Sequence, residues 1–543
     1  MARTAHLDTF AKDQLPPREQ WPELIFDLPE LQYPERMNAA ALLLDRAVAA
    51  GHADSPVIWT SVDGRPVHAT YRQLLARANQ IAHVLVSDMK LAPGNRVLLR
   101  GPNNPMMAAC WFGVIKAGMI AVATMPLLRA KELKQIIDKA RVSAALCDLY
   151  LAQEMENCRQ PGEHFCADLR QVVYFNDASA QGLETRLAEK PIGFRNCDTA
   201  AEDVALIAFT SGTTGEPKGT MHFHRDVIAM CDSFPRSCLK PMRNDIFCGT
   251  PPLAFTFGLG GMLAFPMRFG ASTVLMEKLS PELLLKVVQD FKATVCFTAP
   301  TFYRQMAGLA QNFNIRSLRK CVSAGEALPD ATRQLFKNAT GIEIIDGIGS
   351  TEMIHIFISH TPEAVRRGAT GYAIPGYKAM VVDDEGKPCP PGVVGKLAVK
   401  GPTGCRYLAD ARQKNYVRNG WNLTGDAYKM DAAGYFFYQA RTDDMIISAG
   451  YNIAGPEVES CLLAHEAVAE CGVVGVPDEE RGQIVKAFVV LKAGFAADDA
   501  MARALQDYVK AGIAPYKYPR AVAFVTSLPR TETGKLQRFK LRN

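Results

Sequence analysis

Thr210, Ser211, Gly212, Thr213, Thr214, Gly215, Glu216, Pro217, Lys218 and Gly219 follow one another in the middle of the chain. Hydroxyls, backbone N–H groups and one ammonium in that order can donate to the oxygens of a polyphosphate. Gly212, Gly215 and Gly219 permit turns and a close approach that a Cβ would block. The spacing is not that of a G-x-x-x-x-G-K-[ST] loop, which disfavours an ordinary P-loop NTPase. Read alone, the run is equally an ordinary surface loop.

Further runs carry groups of the right type. Asp346, Gly347, Ile348, Gly349, Ser350, Thr351 and Glu352 form a Gly-rich turn expected after a strand over 343–345. Glu352 can ligate Mg2+ and Thr351 can bond a phosphate oxygen. By itself this is also a turn with a capping acid. Trp421, Asn422, Leu423, Thr424, Gly425 and Asp426 end in a carboxylate after an expected turn. Asp426 can accept both hydroxyls of a ribose, or only stabilise the turn. Near the C-terminus, Thr533 and Gly534 shape a turn that presents Lys535, although a lone terminal lysine is usually just solvated. His222 and His224 have no third ligand clustered with them in sequence and read as hydrogen-bonded histidines rather than a metal pair.

The elements around these runs alternate. Residues 204–209 form an apolar run that reads as a buried strand leading into the Thr/Ser/Gly loop. Asn38, Ala39, Leu42, Leu43, Ala47 and Val48 share a helical face, and 71–86 reads as an amphipathic helix. Strands are expected over 96–99, 144–147, 295–298 and 342–345, with helical stretches over 131–140 and within 323–335. This alternation implies α/β layers with largely parallel sheets. After about Gly371 short strands and turns dominate, over 379–382 and 395–399, which reads as a β-rich subdomain over 371–440, a distorted barrel by its texture. After Arg441 a compact α+β unit of about a hundred residues follows. The expected fold is therefore multidomain α/β. A large N-terminal domain, 1–440, is made of two α/β subdomains plus the β-rich one. A polar junction at 441–444 joins it to a small α+β C-terminal domain, 445–543.

Composition narrows the class. Of 543 residues, 48% are hydrophobic and 22% charged, with a net charge of +5. No basic block argues for nucleic acid. The 14 cysteines are scattered with no C-x-x-C pair, and the charged N-terminus is no secretory signal, which points to a reducing cytoplasm. The apolar stretches 106–128 and 246–267 are broken by Lys116, Gly118 and Pro126 and by Pro251, Pro252 and Pro266, so no membrane span is expected. The first reads instead as a buried helix, a turn and a strand.

In order, these runs, with Arg441, Thr442, Asp443, Asp444 and with Ser448, Ala449, Gly450, Tyr451, Asn452, Ile453, resemble the motif set of the acyl-adenylate-forming superfamily over nearly the whole chain. Ala254 to Gly260, Val322 to Pro329 and Glu352 to Phe357 resemble benzoate-type aryl-CoA ligases. Arg100 to Pro105 and Thr220 to Arg225 are most similar to the 2-aminobenzoate (anthranilate) branch.

The resemblance implies ATP, Mg2+ and coenzyme A, acting on a small aromatic carboxylate in a monomer or homodimer. It implies that Thr210, Ser211, Gly212, Thr213, Thr214, Gly215 and Lys218 cradle the phosphates. Thr351 would contact the α-phosphate, and Glu352 would hold the metal. Ala324, Gly325, Glu326, Asp346 and Gly347 would border adenine, and Asp426 and Arg441 the ribose. Lys535 would stabilise the developing charge during adenylation. The small C-terminal domain would be mobile about a hinge at 441–444 with Asp443 as the pivot, and Gly450 would line the thiol tunnel. Thr256, Phe257, His355 and Ile356, with Gly349 as floor, would form the acyl pocket. Relatives carry Gly-Arg and Ser-Gly-Gly where this chain has Ala440-Arg441 and Ser448-Ala449-Gly450. A free-standing enzyme loading a carrier-protein thiol, a CoA ligase for another small acid, and a non-catalytic nucleotide-binding relative are the alternatives.

Overall fold

A computed structural model describes residues 3–210, 217–278, 280–448, 451–478, 481–513, 515–530 and 536–542. Ser211, Gly212, Thr213, Thr214, Gly215, Gly450 and Lys535 lie outside the described residues, as does the side chain of Asp443.

Two largely parallel sheets form the bulk of the molecule. The first has 6 strands, in the order Gln171–Phe175, Ala144–Asp148, Arg96–Arg100, Ile120–Thr124, Val204–Thr210 and Lys218–Phe223. Its inner strands are apolar on both faces because helices cover both. Ala144–Asp148 and Arg96–Arg100 are buried at every position. The expected helix, turn and strand are seen as Pro105–Lys116 and Ile120–Thr124, with Asn104 capping the helix through Met107 N. The second sheet has 9 strands and a parallel centre, Ser272–Val274, Ile246–Gly249, Val295–Thr298, Lys320–Ser323 and Ile344–Gly349. One continuous apolar core joins the facing helices of both sheets. The expected fold class is present: a large α/β part, a β-rich part and a small α+β part.

Four local expectations are corrected. The strand expected over 343–345 runs through Ile344–Gly349, because Gly347 to Gly349 pair antiparallel with Ile356–Ser359, and the turn shrinks to residues 350–355. Residues 323–335 are not one helical stretch; a loop separates Lys320–Ser323 from a helix that begins only at Asp330, after Pro329. Asp426 does not follow a turn but sits inside the strand Trp421–Met430. Gly425, at φ +78°, bends that strand without ending it. The β-rich part is an open 5-stranded antiparallel sheet rather than a barrel. Its edge strand Lys378–Val382 pairs with Val394–Lys400, and no strand pairing closes the sheet among the described residues.

The C-terminal part has its own core, in which Ile453, Val458, Leu462, Val473, Val485, Val489, Leu505 and Val509 are buried together. Its 3-stranded sheet packs against the helices Gly455–Leu463 and Asp499–Gly512. No helix among the described residues is long and apolar enough to cross a membrane.

Candidate active site

The antiparallel strands Val204–Thr210 and Lys218–Phe223 pair in register out to Thr210 and Lys218. The second strand is fixed to residues 406–408. Met221 N donates to Arg406 O and Leu408 N to Gly219 O, each at 2.8 Å, and Thr220 bridges Tyr407. Lys218 Nζ stands 5.5 Å from the centre of the Tyr407 ring, and the Tyr407 hydroxyl donates to Glu352 Oε1 at 2.6 Å. His222 Nε2 donates to the carbonyl of Thr351 at 2.7 Å. Behind it, Arg406 and Asp226 form a fully buried ion pair. Burial pushes the Asp226 carboxyl up, but Arg406 and His222 more than offset this and hold it below the usual range. His224 accepts the Ala39 N–H at 3.1 Å on Nδ1. Both histidines are hydrogen-bonded, and no group of three metal-ligating side chains occurs among the described residues.

Mg2+ takes oxygen ligands and typically uses one or two carboxylates plus substrate phosphates. Glu352 fits that use. It is buried, Tyr407 of the segment paired with the strand Lys218–Phe223 takes Oε1, and Oε2 has no hydrogen-bond partner among the described residues.

Asp426 pairs in register with Arg441, whose Nη1 lies 3.0 Å from Oδ1. Burial raises the Asp426 pKa, Arg441 opposes that, and the charge of nearby Glu352 adds to it. Asp346 is buried, and burial pushes its carboxyl up to about 7 against the opposing Arg333. Its N–H donates to His360 Nε2 at 3.1 Å and its carbonyl accepts from Ser359 at 2.6 Å, which fixes Asp346 and Gly347 at one edge of the cleft. Ala324 is buried at the neighbouring strand end. Gly325 has φ +89°. Glu326 accepts from Thr301 at 3.2 Å and faces Arg530 at 3.5 Å. The chain just before the Lys535 segment therefore lies against Glu326.

His355 is enclosed by Phe234, Phe257 and Phe265, with ring centres 6.0, 5.6 and 4.5 Å away. Burial pushes its pKa down to about 3, so the ring is neutral. Its Nε2 lies 3.4 Å from the Phe257 carbonyl, and Nδ1 has no partner among the described residues. Gly349 pairs with Ile356, and a Cβ there would come within 2.6 Å of the His355 carbonyl oxygen. Thr256 is buried and lines a small, mainly apolar cavity with Trp111, Ala121, Leu206, Ala208 and Leu253.

Phe257 thus meets His355, Gly349 pairs with Ile356, Tyr407 links Lys218 to Glu352, and Asp426 pairs with Arg441. The cavity lined by Thr256 includes none of Phe257, Gly349, His355 and Ile356. Sequence reasoning missed Tyr407, Thr301, Arg530 and the tie from His222 to Thr351. Tyr407 and Glu352 are 55 residues apart in the chain, so no local spacing announces their contact.

Two family models match the chain, the AMP-binding enzyme over residues 45–407 and the AMP-binding enzyme C-terminal domain over 457–535. A benzoate–CoA ligase of Thauera aromatica is 34% identical over 522 residues, covering 95% of this chain and 97% of that one. Among solved structures, an anthranilate–CoA ligase in complex with anthranoyl-AMP is 33% identical with a TM-score of 0.88, covering 95% of this chain and 98% of that one. A benzoate–CoA ligase from Burkholderia xenovorans is 31% identical with a TM-score of 0.84, covering 93% of this chain and 100% of that one.

Proposed function

The chain belongs to the AMP-binding enzyme family, among its acyl- and aryl-CoA ligases, and from that premise we propose that it converts 2-aminobenzoate to its CoA thioester. A carboxylate is a poor electrophile because thiolate attack would have to expel oxide. In the first half-reaction a carboxylate oxygen attacks the α-phosphorus of ATP, the bond to the β-phosphate oxygen breaks, and pyrophosphate leaves. In the second, the CoA thiol gives up its proton and attacks the acyl carbon, and the bond to the AMP oxygen breaks. The protein's work is positioning and charge neutralisation.

In this reading residues 210–218 and Thr351 hold the phosphates. Glu352 would hold a Mg2+ ion, which when bound supplies positive charge to the phosphate oxygens. Asp346, Gly347, Ala324, Gly325 and Glu326 border the base, and Asp426 and Arg441 take the ribose hydroxyls. Lys535 faces the carboxylate and the α-phosphate during adenylation. A C-terminal unit beginning at the 441–444 hinge then turns about Asp443, withdrawing Lys535 and presenting Gly450 to the thiol. The protein acts in the cytoplasm on a free aromatic acid.

The observation that carries the choice of acid is neutral His355. Its Nδ1 has no partner among the described residues, and its ring belongs to an aromatic wall with Phe234, Phe257 and Phe265. A flat ring fits against such a wall, and an ortho amino group has an acceptor to meet. A site that hydrogen-bonds a substrate N–H discriminates against the analogue lacking it. The test is kcat/KM for 2-aminobenzoate and benzoate in the wild type and in Thr256→Ala and His355→Phe. The wild type is expected to favour 2-aminobenzoate at least tenfold, and His355→Phe to lose most of that ratio. Equal losses for both acids in Thr256→Ala would remove Thr256 from the selectivity. Equal losses in His355→Phe would remove the amino-group contact altogether.

A further inference from the structure

Tyr407 stands between the two charged groups that face the phosphates. Its hydroxyl is spent on Glu352 Oε1 at 2.6 Å, a short bond of the kind a charged acceptor makes. Its ring lies 5.5 Å from Lys218 Nζ. The ring is itself fixed, with an edge-on contact to Tyr416 at 5.8 Å between centres and a backbone bridge to Thr220 of the strand Lys218–Phe223. Tyr416 in turn reaches Ser350 at 3.3 Å, the residue before Thr351 and Glu352. The ring also packs with Cys405 and Val417, while its hydroxyl and one face are turned to Glu352 and Lys218.

We propose that Tyr407 is a positioning residue that holds Glu352 and Lys218 apart and aims both at the nucleotide. The proposal rests on the reading of Glu352 as the metal-holding residue.

The physical reason is competition. A lysine and a glutamate held on one tyrosine attract each other, and an ion pair between them would withdraw both from phosphate and metal. An aromatic face satisfies the ammonium weakly, by attraction to its ring electrons, and releases it readily to a phosphate. The phenol hydroxyl occupies one carboxylate oxygen and leaves the other for the ion. Glu352 is thus restrained before ligand arrives, and less side-chain freedom is lost on binding.

The test is a double-mutant cycle with Tyr407→Phe and Glu352→Gln, each variant first checked for its melting temperature. Two quantities are read. One is the Mg2+ concentration that half-saturates aromatic-acid-dependent pyrophosphate–ATP exchange. The other is the calorimetric Kd of ATP with and without MgCl2. Tyr407→Phe is expected to raise the Mg2+ requirement about tenfold and to weaken ATP binding in MgCl2 but not in its absence. In the Glu352→Gln background the same change should alter either quantity less than twofold. An unchanged Mg2+ requirement in Tyr407→Phe, or an equal effect in both backgrounds, overturns the proposal. If Glu352→Gln alone leaves Mg2+ dependence untouched, the assignment of Glu352 fails first and takes the proposal with it. Should Tyr407→Phe not fold, Tyr407→His, which keeps a ring and an N–H donor, replaces it in the same cycle with the same readings.

Discussion

His360 lies beneath the cleft and shows how one buried ring couples a site to pH. Nε2 accepts the Asp346 N–H at 3.1 Å and Nδ1 donates to the Thr361 carbonyl at 2.9 Å, an arrangement that requires the neutral ring. Burial pushes its pKa down from 6.5 to about 4. Between those values the unfolded chain takes up a proton that the folded chain refuses. The ring's contribution to stability is therefore full above pH 6.5 and is lost as pH falls toward 4, by about 1.4 kcal/mol per unit. His360→Asn keeps an acceptor for Asp346 but cannot titrate. Denaturant unfolding of both proteins at pH 7 and pH 5 should show the wild-type advantage shrinking by about 2 kcal/mol at the lower pH. A constant gap would mean that His360 is not held neutral.

At the scale of elements, the strand Trp421–Met430 holds Asp426 in register with Arg441. Gly425 has φ +78°, and a Cβ there would lie 2.9 Å from Arg441 Nη2, the guanidinium that pairs with Asp426. Gly425→Ala would cost about 1–2 kcal/mol in backbone strain and would displace Arg441. The expected result is a lower melting temperature together with severalfold weaker AMP binding by calorimetry. Unchanged AMP affinity would take Asp426 and Arg441 out of the ribose contact. The strand also marks where sequence reading stops. Parallel strands such as Val295–Thr298 were legible because helices on both faces make them continuously apolar. The Gly425 bend was not, because it goes with pairing on both edges of the strand, to Phe436–Arg441 and to Val394–Lys400, the latter distant enough in sequence to leave no local signal. The Thr210 to Gly219 and Asp346 to Glu352 runs were visible as clusters of glycines and hydroxyls. Tyr407 and His222 were invisible as site residues because each acts through one long-range hydrogen bond.

For the whole molecule, two α/β layers and a β-rich sheet carry the candidate site residues, and the C-terminal part contacts the large part. Arg304 donates to the carbonyls of Leu463, Val468 and Ala469 at 3.3 Å, and Arg530 faces Glu326. These contacts tie the C-terminal part to the large part, through Arg304 and through Arg530 against Glu326. A single cleft that makes a mixed anhydride first and a thioester second should accumulate the anhydride when thiol is withheld. Enzyme mixed with ATP, Mg2+ and 2-aminobenzoate without CoA, then acid-quenched, should yield 2-aminobenzoyl-AMP at about one equivalent per active site, and a chase of CoA should convert it to the thioester. Thioester appearing with CoA but no adenylate without it, or no acid-dependent consumption of ATP under either condition, would contradict the two-step scheme.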